Sequence, residues 1–248
     1  MLKDDRQGQI LHKLALKGKI VASKLAVELN VSEDTIRRDL LELDQNGKLK
    51  RVYGGALPIS RRVVDYLERE NRNLDIKQRM AAKALQFISE DQLVAIDGSS
   101  ANLVLVRAIP ADLKLTVVTN SYPIAQACME KRIDVYMVGG HLLRETLTVV
   151  GTDAERQARE YHPDICFMGV YGIHPEFGLT IPYQPEVGIK RQFIAVSGQV
   201  ISLVNPTKFN TVSKFFLSEL EGISTLVTDE GVEDAVLEEY RARGLECV

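Results

Sequence analysis

Six apolar runs recur through the second half of this chain, at residues 93–97, 115–120, 134–140, 165–170, 200–205 and 225–229, with helix-length stretches between them. A strand that faces water on one side alternates apolar and polar residues. Runs this continuously apolar suit strands covered on both faces. Strand–helix alternation then predicts an α/β fold: a mostly parallel sheet with helices on both sides. Ligands of such sheets sit outside the carboxyl ends of the strands.

The residues at those ends form a set. They are Asp97-Gly98-Ser99-Ser100, Thr119-Asn120-Ser121, Gly139-Gly140, Gly169 with Gly172 beyond it, and Asn205-Pro206-Thr207-Lys208. Glycine N–H groups at a helix start, small hydroxyls and a lysine are what a phosphate oxygen needs. After a strand, such residues most often only make a turn, so each loop alone says little. Several at one sheet edge favour a polar ligand site. The chain has no Walker A lysine motif and no GxGxxG, so nucleoside triphosphate and dinucleotide readings lack support.

The first quarter of the chain has a different texture. Ile10, Leu11 and Leu14 fall at helical spacing and predict a helix over about 4–16. A second helix covers about 22–29, with Leu25, Ala26 and Leu29 inward, and Asn30 permits a tight turn. Ser32 is a good N-cap, and Glu33 and Asp34 suit the positive end of a helix dipole. Ile36, Leu40 and Leu43 recur at i, i+4, i+7 and face a core, which puts Arg38 on the outer face beside Arg37 and Asp34. Gly47 fits the left-handed position after the helix end. Residues 48–56 alternate apolar and basic side chains, which reads as a strand pair, a wing, whose cations can meet phosphates or a minor groove.

Two readings fit that region. One is a three-helix bundle with a solvated charged face, in which Arg38 pairs with Asp34 at i, i+4. The other is a DNA-reading head, and the order helix, turn, helix, basic wing favours it. The charge distribution agrees. Residues 1–62 hold 13 Lys and Arg against 8 Asp and Glu, a net of +5. The remainder holds 18 against 26, a net of −8, so a basic head sits on an acidic body.

At 248 residues, two unequal domains are the natural expectation. We place a winged helix-turn-helix domain at 1–58, a linker at 59–74 and an α/β domain at 75–248. Charged residues at 61–74 lead into an amphipathic helix whose Met80, Ala84, Phe87 and Ile88 share one side. No run of eighteen apolar residues occurs, so no membrane span is expected. The start MLKDDRQGQI does not read as a signal peptide. Cys128, Cys166 and Cys247 are far apart and odd in number, which predicts a reducing, cytoplasmic setting without disulfides.

The segment LAVELNVSEDTIRRDLLELDQNGKLKRVYGGAL resembles the winged helix-turn-helix of DeoR-family bacterial transcription regulators. It has the Ser-capped helix running T-I-R-R-D-L, then L-x-x-x-G-x-L-x-R and Gly-Gly-Ala. The resemblance implies that Ser32, Asp34, Thr35, Arg37 and Arg38 of the helix, with Lys48, Lys50, Arg51 and Tyr53 of the wing, approach double-stranded operator DNA. Tyr53 stands where His is frequent in the family. Farther on, IDGSSANLVLV, LTVVTNSYPIAQAC, MVGGHLLRETLTVVG, CFMGVYGIHPEFGLT and PEVGIKRQF resemble the family's effector-binding domain, similar in fold to ribose-phosphate isomerases and glucosamine-phosphate deaminases.

The implied function is a transcriptional repressor whose operator binding answers to a phosphorylated sugar, assembled as a dimer or tetramer. Asp97, Gly98, Ser99, Ser100, Thr119, Asn120, Gly139, Gly140 and Lys208 match the effector-contacting positions. Two residues depart from the family pattern: Asn205 stands where an Asp is common, and Tyr171 where a small residue is usual.

No catalytic residue, cofactor or metal is expected. The four histidines, His12, His141, His162 and His174, show no metal-ligand spacing, and His162 and His174, each before proline, are expected in loops. Cys166 lies inside an expected strand and reads as a small buried hydrophobe. No G-x-S-x-G elbow is present. Asp97 and Lys208 are also groups that acid–base chemistry would use. An isomerase- or deaminase-like enzyme carrying a DNA-binding head is therefore the second reading.

Overall fold

The computed structural model describes residues 2–17, 19–58 and 66–248, with the backbone alone for 15–17. Its first part is a helical head. Helices α1 (Lys3–Lys17), α2 (Ala22–Glu28) and α3 (Glu33–Gln45) enclose Ile10, Leu14, Leu25, Ile36, Leu40 and Leu43. The local chemistry is as the sequence implies. Asn30 takes φ 52° in the tight turn, and the Ser32 hydroxyl accepts from the Thr35 N–H at 3.2 Å. Gly47 takes φ 64° just past the end of α3.

Asp39 is the exception on α3, an acid turned into the head. It accepts two hydrogen bonds from the Arg6 guanidinium, at 2.5 and 3.1 Å, and so pins α1 across α3.

The wing has one strand more than expected. Strands β2 (Lys50–Val52) and β3 (Gly55–Leu57) form the hairpin, and β1 (Ile20–Val21) adds to the other edge of β3. Two residues carry no periodic signal, so β1 was invisible in the sequence. Its pairing explains Gly55: a Cβ there would run into the carbonyl of Ile20.

Part of the expected linker is helical. Residues 59–65 lie outside the described residues, but α4 (Tyr66–Asn71) follows at once, then α5 (Leu74–Ala84). Six residues of mixed charge give a weak helical signal, and burial of the Tyr66 ring against the second domain decides the matter. Arg107 holds Glu70 of α4 at 2.9 Å.

The remainder runs β4 (Leu93–Ile96), α6 (Ser100–Ala108), β5 (Thr116–Thr119), α7 (Tyr122–Glu130), β6 (Asp134–Met137), β7 (His141–Leu143), β8 (Thr148–Val150), α8 (Thr152–Ala158) and β9 (Ile165–Phe167). It continues through β10 (Gly172–His174), β11 (Gly178–Ile181), α9 (Glu186–Val196), β12 (Gln199–Leu203), β13 (Phe215–Ser218), β14 (Thr225–Val227), α10 (Asp234–Arg241) and β15 (Glu246–Cys247). All six expected runs are strands of one seven-stranded sheet, ordered β15-β14-β12-β9-β4-β5-β6 and parallel throughout.

Successive residues of a strand point to opposite faces. Val94 and Ile96 pack with α5, α6 and α7, while Ala95 packs with α8, α9 and α10. Both faces are covered, which is why the runs are continuously apolar.

Two small additions stand outside the sheet. The hairpin β7–β8 and the antiparallel set β10-β11-β13 were not expected. His174, expected in a loop, is buried in β10, and its Nδ1 accepts from the Glu176 N–H at 3.0 Å. Pro175 ends that strand rather than excluding it.

The strand order sets the position of the ligand site. From β4 the chain moves outward through β5 and β6, then crosses to β4's other side for β9, β12 and β14. The order reverses between β4 and β9, where a crevice opens at the carboxyl ends.

Replacing Gly55 by Ala is expected to lower the stability of the head by about 1–3 kcal/mol, the cost of overpacking a fixed backbone contact. Thermal unfolding followed by circular dichroism checks it, and an unchanged transition would show that β1 does not pair with β3 in solution.

Candidate functional site

The outer face of the head carries the cationic side chains expected there. Arg37 and Arg38 are exposed, as are Lys48, Lys50, Arg51 and Tyr53, the last at the tip of the β2–β3 hairpin. Arg37 pairs with Glu33 at 2.7 Å. The Arg38–Asp34 approach is 3.9 Å between two side chains that are 84% and 75% exposed, a loose contact that leaves Arg38 available. Ser32 and Thr35 join their hydroxyls at 2.8 Å at the start of α3.

A cavity of about 260 Å³ lies at the crevice between β4 and β9. Gly98, Ser99 and Ser100 line it from the end of β4, Gly169 and Tyr171 from the end of β9, and Asn205, Thr207 and Lys208 from the end of β12. Ser99 is the N-cap of α6, its hydroxyl accepting from the N–H groups of Ala101 and Asn102. The positive end of that helix therefore faces the cavity. Asn205 caps the turn after β12, accepting from the Thr207 N–H at 3.0 Å and hydroxyl at 2.9 Å. An amide oxygen is enough for that bond, so the missing carboxylate leaves the turn intact.

The other expected residues lie elsewhere. Asp97 sits beneath the cavity, fully buried, and does not line it. One of its oxygens accepts from the Gly169 N–H at 2.9 Å and from the ammonium of Lys190. Thr119 spends its hydroxyl on the Ile96 carbonyl at 2.5 Å, and the Asn120 carbonyl takes the Val149 N–H at 2.6 Å. Gly139 is bonded through its N–H to Gln157 at 2.9 Å. Thr119, Asn120, Gly139 and Gly140 lie at or just past the ends of β5 and β6, on the far side of β4, and none lines the cavity. The β8 residue Thr148 stands between, its methyl where a Cβ on Gly98 would be.

Several lining residues were not among the expected effector-contacting positions. Lys190 and Glu186, at i, i+4 on α9, both face inward. Two charges on the buried side of a helix were the available signal. Burial works to lower the pKa of Lys190, but the Asp97 and Glu186 charges outweigh it and the net shift is upward. Burial raises the pKa of Glu186, whose carboxylate accepts from the Thr148 hydroxyl at 3.1 Å. Arg69, Arg72 and Lys77 come from α4, α5 and the turn between them.

The cavity's cations are unevenly paired. Lys190 has Asp97. Lys208 keeps part of its stem at the surface while its ammonium is enclosed, donating to the Val170 carbonyl at 2.6 Å. Burial, then the nearby charges of Arg69, Lys77 and Lys190, push its pKa down to about 7. Lys77 is pushed down to about 8, chiefly by burial and then by Arg69. Among the described residues no carboxylate lies within ion-pair distance of Lys77 or Lys208. A buried positive cluster short of counter-charge is a site for an anion.

Comparison with known proteins gives a consistent picture. Residues 6–62 match the family model described as a DeoR-like helix-turn-helix domain, and residues 72–230 match the DeoR C terminal sensor domain. The HTH-type transcriptional regulator GlpR of Haloferax volcanii is 30% identical over 100% of this chain and 98% of its own. GolR of Listeria innocua, also an HTH-type transcriptional regulator, is 29% identical over 99% and 98%. The HTH-type transcriptional repressor GlcR of Bacillus subtilis is 29% identical over 100% and 96%. Among solved structures, ribose 5-phosphate isomerase A of Neisseria gonorrhoeae aligns with 57% of this chain and 55% of its own at 14% identity and a TM-score of 0.42. Among the described residues no helix is long and apolar enough to cross a membrane.

Asp97→Asn is expected to destabilise the sensor domain by about 3–5 kcal/mol, because it leaves the Lys190 ammonium buried without its counter-charge. The double change Asp97→Asn with Lys190→Met should recover most of that loss. Denaturant unfolding of the three proteins checks it, and equal destabilisation by the single and double changes would refute the pairing argument.

Proposed function

Because the chain belongs to the DeoR family, we propose that it is a sequence-specific transcriptional repressor whose operator binding is modulated by a phosphorylated sugar. The observation that carries the ligand reading is the cation cluster of the cavity, set against the N-terminus of α6 and short of carboxylates. Protein groups leave that positive charge unanswered, and a phosphate dianion answers it. The volume, near the small end for metabolite sites, suits a compact ligand. Glu186, with the hydroxyls of Thr146 and Thr148 behind it, offers acceptors to sugar hydroxyls.

The DNA reading rests on α3 and the wing. A helix with Arg37 and Arg38 outward enters a major groove, and Lys48, Lys50, Arg51 and Tyr53 meet the flanking backbone. One head reads a half-site, so assembly as a dimer or tetramer would set heads about 34 Å apart or at multiples of that.

The mechanism is linkage: ligand and operator prefer different arrangements of the two domains, so each weakens the other's binding. An enzymatic reading finds less support, because Asp97, the carboxylate at the sheet edge, is tied to Lys190. Incubation with pentose and amino-sugar phosphates is expected to give no turnover; clear turnover would overturn the regulator reading.

The operator, obtained by selection from random duplex DNA, is expected to bind Arg38→Ala more weakly by about 1–3 kcal/mol, the worth of a bidentate base contact. Unchanged affinity would return Arg38 to a surface role. A panel of sugar phosphates should contain a member that changes operator affinity while its unphosphorylated sugar does not. If no member changes it, the sensor reading fails.

Binding should also take up protons. Lys208, whose pKa burial and neighbouring cations push down to about 7, must be charged to hold a dianion. Affinity is then expected to fall between pH 7 and 9, by up to about tenfold per pH unit for each proton taken up. Calorimetry in buffers of different ionisation enthalpy checks this, and a pH-independent affinity over that range would exclude Lys208 as the anion's partner.

A further inference from the structure

We propose that the open edge of the seven-stranded sheet, strand β6, pairs antiparallel with β6 of a second copy of this chain across a two-fold axis. This rests on the reading above that the chain assembles, and it gives that assembly a surface.

Strand β6 ends the sheet, and among the described residues only β5 pairs with it. An open edge offers a row of unpaired N–H and C=O groups, and chains that avoid pairing blunt it with Lys, Pro or a bulge. Residues 134–138, Asp-Val-Tyr-Met-Val, contain no Lys or Pro, and β6 keeps an unbroken register with β5. The Val138 N–H donates to the Thr119 carbonyl at 3.0 Å, toward β5. Successive peptide groups of a strand point to alternate edges, so Val135 and Met137 turn their N–H and C=O groups outward.

In an antiparallel pair, opposite residues turn their N–H and C=O groups either both toward the partner strand or both away from it. One register of two β6 strands uses every outward group. It sets Val135 opposite Met137 of the second copy, Met137 opposite the second copy's Val135, and Tyr136 opposite Tyr136 on the axis. Each of the Val135–Met137 pairs then exchanges both of its hydrogen bonds. The side chains suit this register. Tyr136 is 52% exposed and lies against Tyr161, with ring centroids 5.8 Å apart, so the axis gathers four rings on one face of the joined sheet. Val135 and Met137 stand on the other face, each against the second copy's counterpart.

The charges agree with the same register. Asp134, the one charge within the strand, comes opposite Val138. Arg132, just before β6, comes opposite Gly140 of the second copy. A Cβ on Gly140 would touch Ala154 in the first turn of α8, next to Asp153. Arg132 and Asp153 are both exposed, and the axis brings each to the other's counterpart, once on either side. A second copy supplies this complement by symmetry, since a two-fold interface uses the same patch on both subunits. The axis also relates two DNA-reading heads, as paired half-sites require.

The test uses the full chain. Sedimentation equilibrium should show an assembly that Tyr136→Glu cuts in half, with a dissociation constant raised at least about 100-fold by like charges on the axis. Arg132→Glu should weaken pairing by about tenfold, and adding Asp153→Arg should restore it. These side chains are exposed, so their changes test pairing without threatening the core. The amides of Val135 and Met137 should exchange at least about tenfold more slowly in the parent than in Tyr136→Glu. An assembly that Tyr136→Glu leaves intact, or a charge exchange that restores nothing, overturns the β6 pairing and leaves assembly to another face. Slow exchange of those amides in a monomeric parent would mean that another segment covers the edge, and overturns the proposal. A parent that is monomeric at every concentration overturns both the pairing and the assembly reading.

Discussion

The pairing of Asp97 with Lys190 organises the sensor domain. Asp97 ends β4, and one of its oxygens takes the N–H of Gly169 at the end of β9 together with the Lys190 ammonium from α9. Lys190 in turn donates to the Gly169 carbonyl at 3.0 Å. Three elements meet at the point where the strand order reverses, so the crevice has a fixed floor. Both charges are almost fully buried, a state tolerable only as a pair. With Lys190 neutralised below, the net positive charge of the cavity belongs to residues that rim it, where a ligand can reach it.

That geometry also explains how far the sequence could be read. The parallel sheet was legible because burial on both faces leaves an unbroken apolar run. The head was legible because caps, turns and helical periodicity are local. Local chemistry also marked the sheet edge where the cavity lies, but it does not contain strand order. Gly98, Ser99, Ser100 and Lys208 border the cavity because β4 and β12 flank β9. Thr119, Asn120, Gly139 and Gly140 carry equally suitable residues and fall on the other side of β4. The Asn120 carbonyl serves the hairpin β7–β8, the Gly139 N–H serves α8, and the Thr119 hydroxyl is spent on β4.

Lys77, Glu186 and Lys190 were given no place in the expected site for a related reason. Each lies on a helix away from the strand ends and comes to the site only through packing. Charges at i, i+4 usually mark a solvated face, whereas on α9 Glu186 and Lys190 share the buried face with Val187, Ile189 and Phe193. The head shows the opposite case. Asp39, which the sequence did not place, is buried against Arg6, while Arg38, which the sequence allowed to be paired, approaches Asp34 only at 3.9 Å.

The account joins an anion site at a sheet's switch point to a DNA-reading helix, and its central claim is that the two equilibria are coupled. Coupling free energy is reciprocal. The most direct measurement is the affinity of the sugar phosphate that alters operator binding, titrated into the free protein and into the protein saturated with operator duplex. The account predicts that operator changes that affinity by the same factor by which the sugar phosphate changes operator affinity, about 5- to 150-fold for an ordinary allosteric coupling. Equal affinity for the free and the DNA-bound protein would contradict it.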